Sequence, residues 1–314
     1  MPLLFALALF APSAAVSQVS APQPLPPAAP DPRGPLFVSV EWLALHLRDP
    51  NLVLLHVGDP AAYPAAHIPG ARLVTLADIS VGDRTGRGLT LEMPSADTLR
   101  ARLAALGIAD GSRVVVYYGK DWVSPTTRVH LTLAYAGLGD HASILDGGMD
   151  AWTAAGHPTT AEVPAAVVGA LSPLRVQNFV VDAAYVQSMI GRPGVSIVDA
   201  RDTAFYSGSR SGGSPSAPHR AGHIAGARSV PFSTLTDASL RIKSPAELAA
   251  AFTAAGIGPR DVVIGYCHIG QQATAMLTAA RALGHPILLY DGSYQDWSAR
   301  SELPVETGAS KPND

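Results

Sequence analysis

The chain has 314 residues, of which 47% are hydrophobic and 15% charged, and its formal net charge is −3. That is enough apolar material for two domains of ordinary size. The 22 Lys and Arg are scattered, which argues against a nucleic-acid surface, and no apolar stretch reaches the roughly 18–20 residues that cross a bilayer.

In chain order, Leu3–Phe10 is a short apolar run, followed by small residues at Ala15 and Ser17. This predicts a signal peptide over residues 1–17, cleaved near Gln18, and a periplasmic or secreted protein with no membrane insertion after cleavage. No Lys or Arg precedes Arg33, so a hydrophobic tail or a mis-assigned start stays open as the alternative. Residues 18–35, rich in Pro and Ala, read as an extended linker.

Val53–Val57 and Val114–Tyr118 read as buried strands, and Val195–Ala200 and Val262–Tyr266 read the same way. Ser95 and Ser244 are expected N-caps, the second strengthened by Pro245 and Glu247. Gly107, Gly137, Gly256 and Gly284 are placed to end helices in the left-handed conformation. Residues 159–173 read as an extended connector between two halves. Gly208–Pro218 has no large apolar side chain and reads as a mobile loop.

The two halves repeat one another. His67-Ile-Pro-Gly-Ala71 recurs as His223-Ile-Ala-Gly-Ala227, and Asp146-Gly-Gly-Met-Asp-Ala-Trp152 as Asp291-Gly-Ser-Tyr-Gln-Asp-Trp297. The order is kept, and an offset of about 150 residues is too long for a solenoid. Residues 36–158 and 174–308 are therefore two copies of one α/β domain. Alternating strands and helices imply a parallel sheet covered on both faces, with ligands at the carboxyl ends of the strands. Trp152 and Trp297 read as core anchors.

Cys267, the only cysteine, follows such a strand and precedes an Ala-rich helix. It has no disulfide partner in the chain. Unpaired N–H groups at a helix start stabilise negative charge, so this cysteine reads as a nucleophile, with a buried structural thiol as the alternative.

His-Ile-x-Gly-Ala, Asp-Gly-x-x-x-x-Trp and Tyr266-Cys267-x-x-Gly270-x-x-Ala273, in this order, resemble a tandem-domain rhodanese sulfurtransferase from about Leu36 to Glu306. The resemblance implies a five-stranded parallel sheet between helices, used twice. It also implies an inactive first copy and a persulfide on the second copy's cysteine. Aligning Val114–Tyr118 with Val262–Tyr266 puts Gly119 opposite Cys267. The persulfide loop is then His268, Ile269, Gly270, Gln271, Gln272 and Ala273, whose N–H groups would cradle an anionic sulfur. A cysteine phosphatase, the nearest rival, needs an arginine where this chain has Ala273.

The resemblance implies thiosulfate as donor and cyanide or a thiol as acceptor, with no metal or organic cofactor. The alternatives are 3-mercaptopyruvate as donor, or a non-enzymatic persulfide carrier or sensor that serves a protein acceptor. His268 and Ile269 match neither donor type, and Phe205 stands where an arginine often precedes the tyrosine. A partly protonated His268 would attract an anion. Arg201, Arg220 and His67 are the remaining candidate substrate contacts, each with a structural role as its alternative. His219, His223 and His67 read as turn histidines in preference to a metal site.

Overall fold

The computed structural model describes residues 22–24, 36–83, 88–119, 123–215 and 217–308. The expected signal peptide and its cleavage point lie outside the described residues, as does most of the Pro/Ala linker.

The first half runs β1 (Phe37–Val38), α1 (Val40–His46), β2 (Leu52–Val57), β3 (Arg72–Val74), α2 (Leu76–Ile79), α3 (Ala96–Ala105), β4 (Arg113–Tyr118), α4 (Val123–Tyr135), β5 (Ala142–Leu145) and α5 (Gly148–Ala154). Its strands form a parallel sheet in the order β1-β5-β4-β2-β3. The run in β4 is apolar at every step because both faces are covered. Val114 and Val116 enter one core with Leu99, Leu103, Val129 and Leu133. Val115 and Tyr117 enter a second core with Leu43, Met149 and Trp152.

The second half repeats this plan with β6 (Val180–Val181), α6 (Ala183–Met189), β7 (Val195–Asp199) and α7 (Thr203–Ser207). Three short strands follow, β8 (Gly213–Ser214), β9 (Ala217–Pro218) and β10 (His223–Ile224), then β11 (Arg228–Ser229) and α8 (Pro245–Ala254). The half ends with β12 (Val262–Tyr266), α9 (Gln272–Ala282), β13 (Ile287–Tyr290), α10 (Ser293–Ala299) and β14 (Val305–Glu306). Its sheet order is β11-β7-β12-β13-β6, again parallel.

Local chemistry sets the ends of these elements. The Ser95 and Ser244 hydroxyls each accept an N–H of the first helical turn, and Glu247 completes a capping box with Ser244. The stretch expected as a structureless loop instead pairs as a small antiparallel hairpin, Gly213 with Pro218 and Ser214 with Ala217. Backbone pairing needs no apolar side chain, which is why composition gave no sign of it.

α4 and α9 join the halves. Both are almost wholly buried, and the Oγ1 atoms of Thr127 and Thr274 meet at 2.8 Å. The two helix starts therefore face each other, and α4 of the first half lies beside the loop after β12.

Candidate active site

Cys267 is the first residue after β12 and is fully buried. The loop to Gln272 is held from outside by its carbonyl groups. Tyr294 N–H donates to the Cys267 carbonyl at 2.9 Å and Gln295 N–H to that of His268 at 2.9 Å. Arg128 Nη1 donates to the Gly270 carbonyl at 3.0 Å, and the Thr274 N–H and Oγ1 to that of Gln271 at 3.0 and 2.6 Å. The Cys267 N–H donates to Ser293 Oγ at 3.2 Å. By contrast, none of the described residues accepts a hydrogen bond from the N–H groups of His268 to Ala273. The loop spends its acceptors outward and keeps six donors free, as a cradle for an anion requires.

Two backbone conformations make this geometry. Gly270 has φ +81°, and a Cβ there would lie 2.7 Å from the Asp291 carbonyl oxygen, so only glycine fits. Ser293 carries φ 51°, uncommon for a residue with a Cβ, and its Oγ also donates to the Tyr290 carbonyl at 2.9 Å. Ser293 has no distinctive signal in the sequence.

A cleft of about 920 Å³ opens over His268 and Ile269. Gly88–Thr90 of the first half form one wall, and Gln295 bonds across to Thr90 and Gly88. Phe205 meets the His268 ring edge-on at 4.6 Å, and the His219 ring lies 6.2 Å from that of His268 and 6.1 Å from that of Tyr294. His219 Nδ1 and the Tyr294 hydroxyl are buried without a partner among the described residues. The β8–β9 hairpin rests on these rings, since a Cβ at Gly212 would lie 3.0 Å from His268.

Burial, aided by the nearby Arg201 charge, pushes the His268 imidazole down to about 4. The expected partial protonation near neutral pH is therefore corrected: His268 is neutral there. Because its folded pKa lies below the unfolded one, acidification from pH 6.5 through 4 works against the folded state. His268→Gln should leave the shape of the kcat/KM profile unchanged between pH 6 and 8. An inflection near 6.5 that disappears in the variant would contradict this assignment.

A family model described as Rhodanese-like domain matches residues 39–155 and again residues 182–300. The chain belongs to the rhodanese-like family. A Pseudomonas aeruginosa protein named thiosulfate sulfurtransferase is 30% identical over 275 residues, spanning 87% of this chain and 97% of that protein. Another from Pseudomonas aeruginosa, named "Probable 3-mercaptopyruvate sulfurtransferase", is 31% identical over 283 residues, spanning 87% and 98%. The crystal structure of YnjE, a protein of Escherichia coli, matches with a TM-score of 0.78 at 26% identity, over 90% of this chain and 71% of that one.

The register of this rhodanese differs by one residue from the sequence alignment. Val116 pairs with Ile144 as Gly265 pairs with Leu289. Tyr117 Oη accepts the Ile68 N–H at 3.0 Å, as Tyr266 Oη accepts the Ile224 N–H at 3.1 Å. Tyr117 therefore matches Tyr266, and Tyr118, not Gly119, stands where Cys267 stands. The first copy has a tyrosine in the nucleophile's place, and its hydroxyl donates to the Leu240 carbonyl at 2.7 Å.

Three candidate substrate contacts of the rhodanese site are placed elsewhere. Arg201 is buried and binds the Asp199 carboxylate with Nε and Nη2, the latter at 2.5 Å, while Nη2 also reaches the Gly222 carbonyl. Its Cζ lies 3.9 Å from the Tyr294 ring centre, so it works beneath the cleft. Arg220 donates to the carbonyls of Trp297, Ser298, Arg300 and Leu303. His67 bonds the carbonyls of Tyr63 in the first half and of Glu162 in the connector. His223 likewise bonds the Tyr206 carbonyl, and among the described residues no cluster suited to a metal ion occurs.

Proposed function

We propose that this rhodanese is a sulfurtransferase that carries sulfane sulfur on Cys267, with thiosulfate as donor and cyanide or a thiol as acceptor. The observation that carries the proposal is the loop that follows a lone cysteine and whose six N–H groups have no acceptor among the described residues. The Cys267 thiolate attacks the outer sulfur of thiosulfate. A Cys–S–S bond forms, the sulfur–sulfur bond of thiosulfate breaks, and sulfite leaves with the electron pair. Cyanide or a thiolate then attacks the outer sulfur and restores the Cys267 thiolate. The free N–H groups stabilise the negative charge in both half-reactions. The test is intact mass after thiosulfate treatment, expected to show a gain of one sulfur atom that cyanide removes. An unchanged mass would sink the proposal.

Size favours a second reading of the donor. A cleft of about 920 Å³ with aromatic walls admits an organic donor such as 3-mercaptopyruvate, and the comparison is the ratio of kcat/KM for the two donors. Either donor is an anion, and Arg210 is the one Lys or Arg among the described residues that line the cleft. Its Cζ lies 4.6 Å from the ring centre of Phe205, the residue that replaced the expected arginine. Arg210→Gln should raise KM for the anionic donor about tenfold and leave kcat within about threefold. An unchanged KM would remove Arg210 from donor binding. Export is part of the same proposal, supported by the apolar run Leu3–Phe10, and N-terminal sequencing of the mature protein tests it.

A further inference from the structure

Arg128 belongs to α4 of the half that has no nucleophile, and it is fully buried. Its Nη1 reaches Asp291 Oδ1 at 2.6 Å and the Gly270 carbonyl at 3.0 Å, and its Nη2 reaches the Leu91 carbonyl at 3.2 Å. Asp291 is held in turn, since its Oδ2 accepts the Met93 N–H at 2.6 Å. One guanidinium thus ties the catalytic loop to a carboxylate of the second half and to a carbonyl of the first.

A guanidinium donates hydrogen bonds and accepts none. It can therefore face the Gly270 carbonyl but not the N–H of the same peptide unit. In a trans peptide the carbonyl and the following N–H point in opposite directions. Fixing the Gly270 carbonyl toward Arg128 therefore turns the Gln271 N–H to the other side, away from the domain junction. With φ at +81°, Gly270 has the backbone freedom to let that peptide turn over. A turned peptide would remove one donor from the cradle and present a carbonyl dipole in its place. The other outward carbonyls of the loop are held by α10 and by Thr274 of the same half. That of Gly270 is held from the other half.

We propose that Arg128 is a positioning residue of the sulfur-transfer site, which fixes the Gly270–Gln271 peptide so that its N–H serves the anionic sulfur. The inference rests on the sulfurtransferase reading for its substrate but not for its geometry. It gives the cysteine-free half a direct part in the chemistry.

The test compares Arg128→Lys, Arg128→Gln and Arg128→Met in the full chain, at a temperature where denaturation curves show each folded. Lysine keeps donors only, whereas glutamine adds an acceptor that can pair with the turned peptide. The rate of sulfur loading from thiosulfate should fall about 10–100-fold in Arg128→Gln and Arg128→Met, with KM little changed, by analogy with the loss of one oxyanion donor. Arg128→Lys, which keeps a cationic donor but not the guanidinium fork, should lose less than Arg128→Gln. Alkylation of Cys267 by iodoacetamide needs the same stabilised sulfur anion and no sulfur donor, and it should slow in the same order. Equal loading and alkylation per folded molecule in Arg128→Lys and Arg128→Gln would overturn the proposal and leave Arg128 as domain glue. If Arg128→Met does not fold, the Lys and Gln pair carries the comparison. If the parent loads no sulfur but alkylation still follows the Lys-over-Gln order, the functional reading fails and the positioning role stands.

Discussion

Cys267→Ser should give a folded protein that takes up no sulfur from any donor, with turnover reduced by at least about a thousandfold. The hydroxyl is a poor nucleophile toward sulfur and forms no persulfide, while the surrounding bonds of Ser293, Tyr294 and Gln295 involve only the backbone of residues 267 and 268. Intact mass after thiosulfate treatment is the direct readout, with urea denaturation to show that the variant is folded. Since the chain has one cysteine, no second thiol can mask the result. A serine variant that still gained sulfur would place the chemistry on another group.

Asp199→Ala should cost about 3–5 kcal/mol of folding stability, the usual result of leaving a buried charge without its partner. Asp199 is fully buried, accepts the Arg201 N–H at 2.9 Å and binds its guanidinium through both oxygens. Burial alone would favour loss of the Arg201 proton, but Asp199 outweighs it and the net shift is upward. After the substitution one carbonyl and two aromatic rings are the remaining described contacts of that charge. Chemical denaturation at pH 7 measures the cost. A loss under about 1 kcal/mol would show that Arg201 finds water or another acceptor.

The duplicated scaffold was legible because its signals are local and occur twice. Ser95 and Ser244 cap their helices, and Gly107 and Gly256 end them at φ 84° and 75°. The strand before Cys267 has the bounds its β-branched run predicts, Val262–Tyr266. What escaped the sequence depends on partners distant in the chain. Val-Val-Val-Tyr-Tyr can be set against Val-Val-Ile-Gly-Tyr on either tyrosine, and the choice lies in which tyrosine hydroxyl meets Ile68 or Ile224. Arg201 and Arg220 resemble anion contacts by residue type, but carboxylate and carbonyl oxygens supplied by the fold occupy them. Arg210 sits in Gly208–Pro218, a stretch whose composition predicts a mobile loop. Arg128 has no motif at all, because its partners Gly270 and Asp291 are brought to it only by the packing of α4 on α9.

The contact between Thr127 and Thr274 sets α4 of the first half against α9 of the second, and the residue after Thr127 is Arg128. Its guanidinium serves the loop of the second half. A substitution at Ser124, Thr127 or Arg128 consequently reaches the active site, although these residues lie in the copy that has no cysteine.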